Sequence, residues 1–287
     1  MTVSRPLVGW LYISPLMLVL IPFFVLPILV VLVASVFETD GFGGLIPTFT
    51  LANYRTVLTS ALTFNLYYET VKFTVLTWFF TLILGFFIAY FLVFHVRNPL
   101  LAIGLFLICT VPFWTSNIIR MISWIPLLGK EGLINSALLR LGLIHEPLAF
   151  LLYSSFAVVV AYVHQLTIFM IVPIFNSMAR IDKRVVEAAV DAGASRLDIM
   201  RLIVVPLSKS GIALGTIFVA SIVMGDFFVT KVMSGGGSAS VVGPFYEDIS
   251  VLQYPSAAAS AVVLTVILLT MVSLILRTVD IRKEITQ

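Results

Sequence analysis

The chain has 287 residues, of which 60% are hydrophobic and 11% charged, and its formal net charge is +3. Soluble domains carry roughly a quarter charged residues, so this composition excludes a soluble fold, which could not hide so much apolar surface. A lone Cys109 excludes an intrachain disulfide and gives no support for a metal site.

The hydrocarbon slab is about 30 Å thick, so a helix rising about 1.5 Å per residue needs roughly twenty apolar residues to cross it. In lipid every backbone polar group must be paired within the segment, which makes each crossing a helix. Six apolar runs satisfy this, at about 7–37, 71–94, 100–124, 149–175, 211–233 and 256–276. The expected fold is an all-α polytopic membrane protein of six transmembrane helices in a single domain over 1–287. The first run carries no charge between Arg5 and Glu38 and is too long for a secretory signal core, so it is expected in the mature protein. Pro15, Pro22 and Pro27 are expected to bend it.

Lysines and arginines orient the spans. With the N-terminus cytoplasmic, the inside set is Arg5, Arg97, Arg180, Lys183, Arg184, Arg196, Arg201, Lys209, Arg277, Arg282 and Lys283, eleven in all. Arg55, Lys72, Arg120, Lys130, Arg140 and Lys231, six in all, fall outside or within helices. Both termini are therefore expected inside, and the net charge reflects topology, with no nucleic-acid partner read from it. Residues 38–70 and 126–148 read as outer segments with short amphipathic stretches, and 235–255 as a flexible outer connection that begins Gly-Gly-Gly-Ser.

The long inside loop, 176–209, carries the best-organised polar signal. Asp182 is placed to cap a helix beginning at Lys183 by accepting an otherwise unpaired N–H. Ala188, Ala189, Ala192 and Gly193 are expected to form a strip of small side chains that admits another protein's backbone. Gly193 suits a left-handed helix end, and Ser195 with Asp198 has the spacing of a capping box opening a second helix, which Pro206 breaks or kinks. On composition alone the same loop reads equally as a solvated basic connector.

Glu187-Ala188-Ala189, Gly193, Ile203 and Pro206 stand at spacings that closely resemble the cytoplasmic EAA signature of permeases in ABC importers. Val205 stands where that pattern has leucine, which leaves the apolar character intact. The resemblance implies the type I importer permease fold in the bacterial inner membrane, with 176–209 as a coupling loop. It also implies three partners: cytoplasmic ABC ATPase subunits, a second permease that is a different homologous chain, and an external solute-binding protein. Glu187 would make polar contacts in a cleft on the ATPase, while Ala188, Ala189 and Gly193 allow the close fit. A bulky residue at Gly193 is then expected to uncouple ATP hydrolysis from transport.

Further segments resemble the permease of spermidine/putrescine importers: Phe49-Thr50-Leu51-Ala52-Asn53-Tyr54, Val111-Pro112-Phe113-Trp114-Thr115-Ser116-Asn117 with Ile119-Arg120, Gly142, and Gly225-Asp226-Phe227-Phe228. They imply a polyamine as the transported solute.

Charges inside apolar runs are costly unless they face a partner or a watery path. Asp226 is the clearest case, with two readings open: it lines the route of a cation, or it pairs with Arg120 or Lys231 and fixes helix packing. Arg120 and Lys72 are expected to snorkel to water near helix ends. Trp78, Trp114 and Trp124 read as interfacial anchors, except that Trp114, beside Pro112, is suited to a broken helix that gates the path. The tentative path residues are thus Asp226, Trp114 and Arg120. His95, His145 and His164 lack ligand spacing, so no metal or other cofactor is assigned. No Gly-x-x-x-x-Gly-Lys-Ser/Thr loop occurs and no catalytic set emerges, so the chain is expected not to be an enzyme and to draw its energy from a partner. The competing reading is a self-sufficient ion-coupled carrier or channel for a small organic solute.

Overall fold

The computed structural model describes residues 5–236 and 240–278, with side chains described from 12 to 277. Arg282 and Lys283, Gly237 and Ser238, and the side chain of Arg5 lie outside the described residues. In chain order the helices are α1 Arg5–Leu20, α2 Leu26–Ala34, α3 Ala52–Thr59, α4 Ala61–Phe94, α5 Pro99–Trp114, α6 Asn117–Ile122, α7 Trp124–Leu128 and α8 Leu133–Arg140. They continue as α9 Ser155–Met178, α10 Lys183–Asp191, α11 Arg196–Ile199, α12 Val205–Leu207, α13 Lys209–Gly225, α14 Phe228–Met233, α15 Val242–Ser250 and α16 Tyr254–Thr278.

Among the described residues four helices are unbroken and apolar enough to cross a membrane: Tyr12–Ala34, α4, α9 and Tyr254–Arg277. Two more candidate spans are bent pairs, so the count reaches six if each pair is one crossing. The prolines of the first run do not break it. A π turn over Ile21–Val25 joins α1 to α2 and absorbs Pro22 and Pro27, so Tyr12–Ala34 runs on as one helical segment. The second span is longer than its apolar stretch, because α4 begins at Ala61 and carries Asn65, Glu69 and Lys72 before hydropathy rises.

Three sequence expectations need correction. The third span is not continuous over 100–124: α5 ends at Trp114 and the segment from Asn117 leaves at 91°. Pro112 lacks the N–H that would hold the last turn, and Thr115 and Ser116 are extended. The fifth span breaks at Asp226, where α13 gives way to α14. The connection at 235–255 is more than flexible linker, since it contains the nine-residue α15. A two-residue antiparallel ribbon, Glu38–Thr39 with Leu45–Ile46, interrupts an otherwise helical chain.

The chain divides into two compact units. In the first, residues 1–64 and 242–267, the carbonyls left unpaired at the end of α2 are taken up by side chains of α3. Asn53 Nδ2 donates to Ser35 O at 3.1 Å and Phe37 O at 3.0 Å, and Ser35 Oγ and Tyr54 Oη are 2.7 Å apart. In the second, residues 65–241 and 268–287, α9 and α13 form the central pair. Tyr162, Leu166, Met170, Ile174 and Met178 of α9 are fully buried, at successive four-residue steps that place them on one face. Trp78 of α4 donates its Nε1 to Thr216 Oγ1 at 3.0 Å, anchoring α4 to this pair.

Candidate functional site

The loop between α9 and α13 folds as the local sequence dictates. Asp182 Oδ1 accepts the N–H of Arg184 at 2.9 Å and caps α10. At the other end Gly193 N donates to Val190 O at 2.9 Å and Ala194 N to Ala189 O at 3.0 Å, the paired bonds of a Schellman motif. Gly193 sits at φ +83°, where a side chain would be strained, yet a Cβ there would meet nothing within 4 Å. Its requirement within this chain is conformational and not steric. Ser195 and Asp198 form the full capping box: Asp198 N donates to Ser195 Oγ at 3.2 Å and Ser195 N to Asp198 Oδ2 at 3.1 Å. Those bonds hold the fully exposed Asp198 carboxyl below its ordinary pKa. The second helix then runs α11, a π turn at Met200–Val204, and α12, before a 67° bend into α13 two residues past Pro206.

The small-residue strip divides between two faces. Val186 and Ala189 pack on the hydrophobic core together with Ile181, Ala194 and Ile203. Ala188, Ala192 and Gly193 are exposed, as are Glu187 and Pro206. Ala189 therefore seats the loop on its own domain, and Ala188 is free to face outward. Val185, Ala188 and Ala192, spaced three and four apart, form an uncovered apolar face of α10 flanked by Glu187.

The three tentative path residues do not converge on one point. Trp114 stands at the α5 break, as its proline neighbour suggested. It is 71% exposed and lines a groove of 780 Å³ between α5, α9 and α13. That groove is walled by Phe113, Phe169, Val172 and Phe218; of its polar groups Asn176, Ser177, Arg180 and Ser210 gather near the end of α9, with Thr110 on α5. None of the four near the end of α9 was expected to line a groove: Arg180 was read only as an inside basic residue, and the other three sit near helix ends, where polar residues are ordinary.

Asp226 occupies the α13–α14 break. Its Oδ1 accepts the N–H of Val229 at 2.8 Å and the hydroxyl of Tyr162 at 3.3 Å, and Tyr162 Oη lies 3.1 Å from Thr230 Oγ1. Ser240 Oγ donates to Asp226 O at 3.0 Å, and Val241 N to Thr70 Oγ1 at 3.0 Å, tying the break to α4. The pairing of Asp226 with Arg120 or Lys231, one of the two readings left open, is absent among the described residues, where the ion pair is Lys72 with Glu69, at 2.5 Å. Lys231 instead lies 5.0 Å from the ring centroid of Phe227. Tyr162 was missed as the partner, since a tyrosine among the apolar residues of α9 gives no sign in the sequence of what it meets.

Arg120, expected to snorkel, lies on α6 against α9, beside Met121, Trp124, Ala161, His164 and Gln165. Its Nε and Nη1 are buried without a hydrogen bond.

Comparison with known proteins agrees with this architecture. The chain is 32% identical over 266 residues to the spermidine/putrescine transport system permease protein PotB of Escherichia coli strain K12, covering 91% of each. It is 29% identical over 253 residues to the protein of that name from Haemophilus influenzae, covering 87% of this chain and 86% of that one. A shorter match, 31% identical over 104 residues, covers 36% of this chain and 39% of the Escherichia coli spermidine/putrescine permease PotC. In fold it resembles a chain of the bacterial alginate ABC transporter solved with an alginate-bound periplasmic protein. The TM-score is 0.72 at 14% identity, covering 95% of this chain and 93% of that one. A family model described as binding-protein-dependent transport system inner membrane component matches residues 81–283, so this chain belongs to that family of membrane permeases.

Proposed function

We propose that this chain is one of two membrane-spanning permeases of an ATP-driven importer of polyamines, spermidine or putrescine. The observation that carries the solute is the likeness to PotB along nine-tenths of both chains. The second permease is a different homologous chain, in keeping with the partial likeness to PotC. An external solute-binding protein delivers the solute, and ATP is hydrolysed in separate cytoplasmic subunits. The chain works as a single permease domain, with both termini and the 176–209 loop on the cytoplasmic side.

The loop is the joint with the ATPase. Support comes from α10: an uncovered apolar face of Val185, Ala188 and Ala192 beside the exposed Glu187 is unusual for a solvated connector and suits a cleft with a polar rim. Ala189 seats α10 on the hydrophobic core and the Schellman turn at Gly193 leads it into α11, so a push on α10 reaches the bundle. Pro206 ends the lever just before the bend into α13. Asp226 and Trp114 stand at the two helix breaks and are assigned to the translocation path, where a carboxylate and an aromatic face both favour an amine.

The test is solute-stimulated ATPase activity of the assembly reconstituted with its ATPases, second permease and binding protein, across polyamines, amino acids and sugars. Stimulation by spermidine or putrescine is expected. Stimulation by another class alone overturns the polyamine assignment, and ion-driven transport by the chain alone, without ATP, overturns the importer reading.

A further inference from the structure

Among the described residues Arg120 has no counter-ion. It stands on α6 just past the α5 break and packs against α9. Its Nε and Nη1 are buried and unpaired, while the residue as a whole is half-buried. Gln165 beside it is 7% exposed and makes no side-chain hydrogen bond among the described residues. His164, exposed at the same edge, accepts the indole N–H of Trp124 at Nδ1 over 3.3 Å. An indole N–H only donates, so the neutral imidazole carries its proton on Nε2 and offers a donor too. Guanidinium, amide and imidazole therefore gather donors at one spot, and no carboxylate pairs with the guanidinium there.

Depth narrows what completes the site. Ala161 and Gln165 lie six and ten residues beyond Ser155, the first residue of α9. At about 1.5 Å per residue this is roughly 9–15 Å down the helix axis, below the level of lipid phosphates and of a docked surface protein. The space among the side chains has no room for a water-sized ion, so the counter-charge must approach from the open edge. A polyamine would be repelled by a bare guanidinium, which makes the cargo itself unsuitable.

We propose that Arg120, with Gln165 and His164, receives a carboxylate side chain from a membrane-embedded helix of the second permease, fixing the register of the two subunits. The inference rests on the two-permease reading above. A charge-assisted pair that leaves water on assembly gives specificity of pairing, because either subunit alone keeps an unmatched charge.

The experiment is co-purification of the second permease with a tagged form of this chain, both expressed with the whole assembly. Arg120→Gln is expected to lower recovery roughly thirtyfold or more, while Arg120→Lys keeps most of it. The tagged Arg120→Gln chain alone in detergent should match the wild type in yield and thermal midpoint, which separates lost pairing from misfolding. Arg120→Glu, combined in turn with Arg replacements of each Asp and Glu in the partner's spans, should regain assembly in one combination. Wild-type recovery with both Arg120→Gln and Arg120→Glu overturns the proposal, as does a loss that no partner replacement reverses. A wild-type chain that recovers no second permease overturns the two-permease reading and this inference with it.

Discussion

Met170 of α9 fills the space that a side chain at Gly215 of α13 would need: a Cβ there would lie 2.5 Å from Met170 Sδ and 3.2 Å from its Cα. The same methionine faces Gly85 of α4, whose Cβ would come within 2.8 Å of Met170 Cγ. One turn before Gly215, Gly211 meets the α9 main chain itself, with the Ile174 Cα at 2.9 Å and the Pro173 carbonyl closer still. Glycines four apart on one face let two helices approach where lipid supplies no hydrophobic drive for association.

The nature of each obstacle ranks the substitutions. Gly211 would drive a Cβ into main-chain atoms well inside contact distance, whereas Gly215 meets chiefly the Met170 side chain with its Cα at 3.2 Å, so Gly211→Ala should cost about 1–3 kcal/mol and Gly215→Ala less. Thermal unfolding of the purified chain in detergent measures both. Equal midpoints for the two variants would contradict this packing.

Gly193 separates strain from close approach to a partner. Its φ of +83° makes Ala cost about 1 kcal/mol and Asn less, but a Cβ there touches nothing in this chain. If α10 docks tightly in the ATPase, Gly193→Ala should retain coupled transport and Gly193→Leu should keep ATP hydrolysis while losing uptake. Normal uptake by a Gly193→Leu chain that reaches the membrane counts against the joint.

At Asp226, charge and hydrogen bonding can be pulled apart. Asp226→Asn keeps an oxygen for the Val229 N–H and the Tyr162 hydroxyl, so the thermal midpoint should hold while polyamine uptake falls. Asp226→Ala leaves an N–H of the first turn of α14 unpaired and should cost about 1 kcal/mol as well. Full uptake by Asp226→Asn would reduce Asp226 to a packing residue.

The capping box of α11 should weaken in acid. Bonds from Ser195 hold the Asp198 carboxyl below its unfolded value, so their stabilisation is complete above the ordinary carboxylate pKa of about 3.9 and is lost as pH falls through the lower folded value. Amide exchange of Asp198 and Ile199 should accelerate as pH falls below about 3.9 and not above it. In Ser195→Ala the acceleration should begin at higher pH, because the carboxyl returns toward its ordinary range. An unchanged exchange profile in that variant would remove the box from the account.

Local signals proved readable because they act within a few residues. The caps at Asp182 and Ser195 and the left-handed Gly193 involve partners one to four positions away, and each forms as its spacing required. The Pro112 break was legible for the same reason. The face of Ala189 was not, since α10 alone does not say which side meets the core.

Hydropathy by itself determined that the chain is built of helices apolar enough for a bilayer, because the slab tests each apolar run separately. Only the tertiary structure decided that Asp226 binds Tyr162, 64 residues away, in place of a cation, and that Arg120 stands unpaired against α9. Glycines 85, 211 and 215 likewise acquired meaning only when α4, α9 and α13 came together. Pairings of that kind depend on which helices touch and at what register, a property of the assembled bundle that no single apolar run encodes.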